Sequence, residues 1–152
     1  MTRYYFASRY SRHEELRSYR EELMRVVSGA TVTSRWIDLH NNELEASFTP
    51  EALAADPAGC WKYGQADLED LANSEVIVSF TGPGGKGGRH IEHGVAIAYF
   101  DNHIWLDLGG PPRDAFRLTI VGPRENVFHC HPATEVFATW GEFLWNELRS
   151  QS

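Results

Sequence analysis

Apolar and polar positions along this chain switch repeatedly between a period of two and a helical period. Residues 2–7 (TRYYFA) form a short aromatic run ending in small residues, which predicts a strand. Ser11 and Glu14 then stand at the spacing of a capping box, and Leu16, Tyr19, Leu23, Val26 and Val27 follow at helical intervals. Gly29 is placed to stop that helix. Residues 31–37 (TVTSRWI) predict a second strand. Residues 38–59 are polar and contain Pro50 and Pro57, so they read as a long loop with one helical turn. Loops of that length in a compact domain are often functional.

The second half repeats the alternation. Residues 61–74 are helix-like, with Trp61, Leu68, Leu71 and Ala72 as the apolar stripe. Residues 75–80 (EVIVSF) are nearly continuous in apolar character, as in a strand buried on both faces. A glycine-rich loop follows, then a helix over 89–100 whose predicted core face is Ile91, Val95, Ala98 and Tyr99. Residues 103–108 (HIWLDL) and 117–121 (RLTIV) predict two more strands, and residues 140–149 a final amphipathic helix. Strands alternating with helices predict an α/β fold. Five such strands suggest a three-layer sandwich with a mainly parallel sheet, flavodoxin- or Rossmann-like in order. With no internal repeat and no linker composition, residues 1–152 read as one domain. Ligands of such sheets sit outside the carboxyl ends of the strands, which points to residues 7–11, 81–92 and 108–113.

Charge narrows the partners. A net charge of −7 argues against nucleic acid as the main partner, although a local basic cluster can still hold a small anion. Cys60 and Cys130 make no CxxC pair, so a reduced, cytoplasmic setting is expected. No apolar run approaches 18 residues and the first residues lack a secretory core, so no membrane partner is expected.

The stretch from Gly82 to Phe100 (GPGGKGGRHIEHGVAIAYF) carries the densest chemistry. It fails the Walker pattern, because Lys86 is followed by Gly87 rather than Ser or Thr. It fails the dinucleotide fingerprint, because the position three past Gly87 is His90. His90-x-x-His93 and His129-x-His131 match no common zinc spacing, so no metal and no cofactor are expected. Glu92 remains. It is expected in the first helical turn, where the helix dipole and Arg89 would keep it ionised. An ionised, positioned carboxylate suits a glycosyl nucleophile. Asp67, in DLEDLANS, supplies a second carboxylate for the same crevice. The neighbouring Glu69 and Asp70 leave a solvated charge cluster as the plainer reading of that segment.

The order of these pieces resembles the nucleoside 2-deoxyribosyltransferase family and its nucleoside 5′-monophosphate N-glycosidase relatives. The residues that carry the resemblance are the strand YYFAS, the helix and strand ADLEDLANSEVIVSF, the glycine loop, and Glu92-His93-Gly94-Val95-Ala96. The resemblance spans residues 3–128. It implies a glycosyl-enzyme intermediate on Glu92, with Tyr5 orienting that carboxylate and Asp67 contacting the sugar or assisting the departing base. It also implies Asn126 at the sugar's 5′ side, often across a subunit boundary, and a homodimer or larger homo-oligomer. The aromatic tail (Phe137, Trp140, Phe143, Trp145) would serve either such an interface or the core.

The loop departs from the family pattern. Residues 86–89 contain neither the acid typical of the transferases nor the serine typical of the monophosphate glycosidases. Basic residues stand there instead. Ser8, Arg9, Arg12, Lys86, Gly88 and Arg89 are therefore the expected substrate contacts, and the cations favour an anionic ligand such as a 5′-phosphate. The expected partner is a small nucleoside or nucleoside 5′-monophosphate, with the Glu92 and Asp67 carboxylates about 5–9 Å apart. A nucleotide-binding module without turnover and a histidine-based metal hydrolase are the competing readings.

Overall fold

The computed structural model describes residues 2–39, 49–84, 87–102 and 116–151. Its strands are β1 (Arg3–Ala7), β2 (Thr31–Val32), β3 (Val76–Phe80), β4 (Arg117–Val121) and β5 (Glu135–Phe137). Its α-helices are α1 (His13–Val26), α2 (Pro50–Ala55), α3 (Pro57–Ala72), α4 (Gly88–Asn102) and α5 (Trp140–Arg149). The five strands form one parallel sheet in the order β2-β1-β3-β4-β5. This is the doubly wound, flavodoxin-like order, with the switch point between β1 and β3.

Alternation along the strands sorts the core into two layers. On one face, Phe6 meets Phe80 and Trp140 edge-on, Tyr19 of α1 stacks on Trp140 at 4.5 Å, and Tyr4 meets Phe143. Helices α1 and α5 cover this face, and it accounts for most of the aromatic tail. On the other face, Tyr5 of β1 and Ser79 of β3 look toward α4. All five β3 residues are buried, as their continuous apolar character predicts.

Several sequence expectations are corrected. The strand expected over 31–37 shortens to Thr31–Val32, and a 3-10 turn follows at Arg35–Asp38. Side chains replace the backbone ladder there: Ser34 Oγ accepts from Phe6 N at 2.7 Å, and Trp36 Nε1 donates to Phe6 O at 2.9 Å. Within the expected 38–59 loop, both prolines start helices rather than break them. Thr49 caps α2 and Asp56 caps α3, each accepting from a free amide of the first turn. The Ser11–Glu14 capping box is absent, because a 3-10 turn at Tyr10–Arg12 feeds α1 directly and Arg12 pairs with Glu15 instead. The strand expected over 103–108 lies outside the described residues. β5, a three-residue edge strand too short to show a period, was not expected. No helix among the described residues is long and apolar enough to cross a membrane.

Of the two expected helix stripes, Leu71, Ala72 and Tyr99 are buried as expected and Val95 packs against the core. Trp61 and Ile91, expected in the core, are 58% and 68% exposed. The buried positions of α4 are Arg89, His93, Ala96 and Tyr99. His93 faces the sheet because Ser79 Oγ meets its Nδ1 at 2.7 Å. The buried end of α3 is Asp70, Leu71 and Ala72. Asp70 is tolerated because Arg35 grips it through its backbone N at 2.9 Å and its Nε at 2.7 Å. Asp70 is thus no part of a solvated charge cluster.

Candidate active site

The β1–β3 switch point brings together three residues distant in sequence. Tyr5 projects from the middle of β1, Glu92 from α4 and Asp67 from α3. The Tyr5 hydroxyl donates to Glu92 Oε1 at 2.7 Å. The Glu92 and Asp67 carboxyl groups are hydrogen-bonded to each other. Two neighbouring acids of this kind are favoured to share one proton.

The electrostatics also differ from expectation. Helix α4 begins at Gly88, so Glu92 lies beyond its first turn, away from the free amides. Arg89 is turned elsewhere. Its Nη1 donates to Gly84 O and its Nη2 to Gly82 O, both at 2.7 Å, and Nη2 also approaches Glu125 at 3.4 Å. Burial first, and the charge of Asp67 second, push the Glu92 carboxyl well above the usual carboxylate range, while Tyr5 pulls against them. Burial, then the charge of Asp70, push Asp67 up to about 7, and Arg35 opposes that rise. Tyr5 is held well above its ordinary value, mainly by burial and next by Glu92, so its phenol remains a donor. A pair of carboxyl groups carrying one proton can divide the roles of nucleophile and proton donor.

The glycine loop closes one side of this crevice. Gly82, Gly84 and Gly87 have φ of 145°, 95° and 87°, a region open to glycine, so these residues let the loop fold back. Its carbonyls receive Arg89, and Pro83 O receives Arg9. Both guanidinium groups therefore lie against the same turn. Ser8 Oγ, Arg9 Nε and Arg89 Nε are buried with no hydrogen-bond partner among the described residues. Gly88 opens α4, with free space where a side chain would stand. Lys86 lies outside the described residues.

Two expected contacts are engaged away from the carboxyl pair. Arg12 is taken by Glu15 at 2.8 Å and lies over the Phe80 ring. Asn126 Oδ1 caps a 3-10 turn at Phe128 N, and its amide meets His90 Nδ1 at 3.3 Å. His90 and Glu92, two residues apart on a helix, do not share a face. Within one chain, then, Asn126 does not join the Glu92 site.

Opposite the loop, Asp67 lines a cavity of about 520 Å³ together with Arg35, Trp36, Leu39, Gly59, Lys62, Tyr63 and Ala66. Sequence reasoning missed this wall. Trp36 and Arg35 sat in an expected strand and Tyr63 in a helix, and only the topology lays the 3-10 turn after β2 against α3. The histidines of α4 and of the segment between β4 and β5 come together, with His93 and His129 rings 5.1 Å apart. Burial is the main cause that lowers His93 to about 4, which keeps it neutral. Among the described residues no group of three or more histidine, cysteine or acidic side chains could hold a metal ion.

No family model matches the chain, and no curated protein matches it. A solved structure does. The chain shares its fold with the Clostridium botulinum CMP N-glycosidase BcmB. The likeness covers 95% of this chain and 96% of that one, at 15% identity and a TM-score of 0.51. At that identity the likeness concerns the fold, and the case for chemistry rests on the side chains.

Proposed function

We propose that the protein cleaves the N-glycosidic bond of a nucleoside 5′-monophosphate through a covalent intermediate on Glu92. The observation that carries this reading is the hydrogen-bonded row Tyr5–Glu92–Asp67 at the switch point of the sheet. The name of the structural neighbour, a CMP N-glycosidase, supports it.

The proton count is simple. The acid pair enters with one proton. Substrate binding moves that proton onto Asp67 and leaves Glu92 ionised, with Tyr5 fixing its Oε1. Glu92 attacks the anomeric carbon as the C–N bond breaks. Asp67 gives its proton to the departing nitrogen. Water, or a second base, then attacks the same carbon and loses a proton to Asp67, and Glu92 leaves as a carboxylate. The shared proton is thereby restored to the pair. Developing positive charge on the sugar is stabilised by the carboxylate that captures it.

Support for the phosphate comes from Ser8, Arg9 and Arg89. Three buried donor atoms without partners among the described residues belong to Ser8, Arg9 and Arg89, and the guanidinium groups of the two arginines grip the same glycine turn. Buried donors without partners are unfavourable unless a ligand accepts from them. The cavity beside Asp67 would then hold the departing base. The test is incubation with nucleosides and their 5′-monophosphates, with and without a free acceptor base, reading released or exchanged base by chromatography. Base release from monophosphates that vanishes in Glu92→Ala supports the reading. Undiminished release in Glu92→Ala refutes it.

A further inference from the structure

Resting on that reading of the site, we infer that the cavity beside Asp67 selects leaving bases that carry a carbonyl oxygen on the edge remote from the sugar. Uracil and hypoxanthine belong to this class. Cytosine and adenine, which carry an amino group there, do not.

The argument starts from the polarity of the walls. Trp36 and Tyr63 bring aromatic rings and Ala66 a small apolar surface, which suits a flat heterocycle. A volume of about 520 Å³ admits a one-ring or a two-ring base. The polar side chains are nearly all donors. Trp36 spends its indole N–H on Phe6 O. Arg35 is pinned by Asp70 at 2.7 Å and by Glu69 at 3.2 Å, so two carboxylates already balance its charge. Lys62 has no ion-pair partner among the described residues, which leaves its ammonium as the uncompensated charge of the wall. The acidic side chain lining the cavity, Asp67, is committed to Glu92 and to the glycosidic nitrogen. The Tyr63 phenol can serve either polarity.

A carbonyl edge meets Lys62 as an acceptor. An amino edge instead turns a donor toward that cation. A donor set against a cation in place of an acceptor gives roughly a tenfold difference in binding.

The experiment compares kcat/KM for UMP and IMP with CMP and AMP, in wild type, Lys62→Ala and Lys62→Glu. It also measures binding of free uracil, hypoxanthine, cytosine and adenine to Glu92→Gln by calorimetry. The expected result is at least a tenfold preference for UMP and IMP. That preference shrinks in Lys62→Ala and is lost or inverted in Lys62→Glu, an exposed position where the charge change is tolerated by the fold. Equal or better cleavage of CMP and AMP by wild type overturns the inference and leaves the glycosidase reading intact. No cleavage of any substrate, with free uracil and hypoxanthine still bound tighter in a Lys62-dependent way, supports the inference and overturns the glycosidase reading. Neither cleavage nor binding overturns both.

Discussion

The Tyr5 hydroxyl donates to Glu92 Oε1 at 2.7 Å from a side chain with no exposed surface. A strand and a helix, joined by residues 87 positions apart, thus fix the aim of one carboxylate. Tyr5 holds Glu92 toward its ionised form against burial and against Asp67. Tyr5→Phe is therefore expected to lower kcat by about 10- to 100-fold, the worth of one hydrogen bond to a charged group. KM should change little, and the acidic limb of the pH profile should move upward. Steady-state kinetics across pH checks both. An unchanged limb would mean that Tyr5 only packs.

The pH profile of the wild-type chain follows from the shared proton. The competent pair carries one proton, and a second one silences the nucleophile. With burial and Asp70 holding Asp67 near 7, activity is expected to rise with pH through about 7 rather than near 4. Asp67→Asn removes the charge that, after burial, does most to raise Glu92. In Asp67→Asn the acidic limb reports Glu92 alone, which burial holds above the usual carboxylate range, so the limb should stay at about 7 or move upward. Its kcat should fall by roughly 10²- to 10⁴-fold, least for substrates whose base departs without protonation. A limb that drops toward 4 in Asp67→Asn contradicts burial as the main cause raising Glu92.

The carboxyl pair was legible in the sequence and its state of protonation was not. Glu92 and Asp67 stand in recognisable local patterns, on either side of a strand that reads as buried. Their contact depends on α3 and α4 packing together, which no local pattern encodes. The same holds for Arg35, which looked like part of a strand and instead neutralises a buried Asp70. The parallel, doubly wound sheet followed from the alternation of strands and helices, whereas its edge strand β5 did not. Nor did the burial of His93 and Asp70, because it depends on a serine–histidine pair and an arginine–aspartate pair formed between separate elements. The helix starts at Pro50 and Pro57 were available from Thr49 and Asp56 as caps, and were hidden by reading both prolines as breakers.

Burial of Glu92 has a consequence for stability. A carboxyl whose folded pKa lies above the unfolded value of about 4.3 keeps a proton in the folded chain that the unfolded chain releases. Stability therefore falls as pH rises from about 4 through the folded pKa. Glu92→Gln abolishes this loss while keeping an acceptor for Tyr5 and a donor for Asp67. A tenfold difference in proton affinity between the folded and unfolded chain costs about 1.4 kcal/mol, or roughly 2–4 °C in a chain of this size. The variant should melt at least about 3 °C higher than wild type at pH 8 and within about 1 °C of it at pH 4. Thermal unfolding at the two pH values checks this, and equal melting points at pH 8 would deny the cost of burying Glu92.

Ser8 separates fold from function most cleanly. Its buried Oγ has no hydrogen-bond partner among the described residues, so its removal leaves none of them newly unpaired. Ser8→Ala should then melt at or slightly above the wild-type temperature, since an unsatisfied buried hydroxyl is itself unfavourable. If that hydroxyl donates to a substrate phosphate, the same variant should raise KM for the 5′-monophosphate by roughly 10- to 100-fold, the range for a hydrogen bond to a charged group. KM for the matching nucleoside, which has no phosphate, should stay within about twofold. The two substrates are thus each other's control, and the ratio of their kcat/KM values is insensitive to any small change in folding. An equal effect on both would assign Ser8 to the sugar or to loop packing. No effect on either would remove it from the site and leave Arg9 and Arg89 as the groups to vary next.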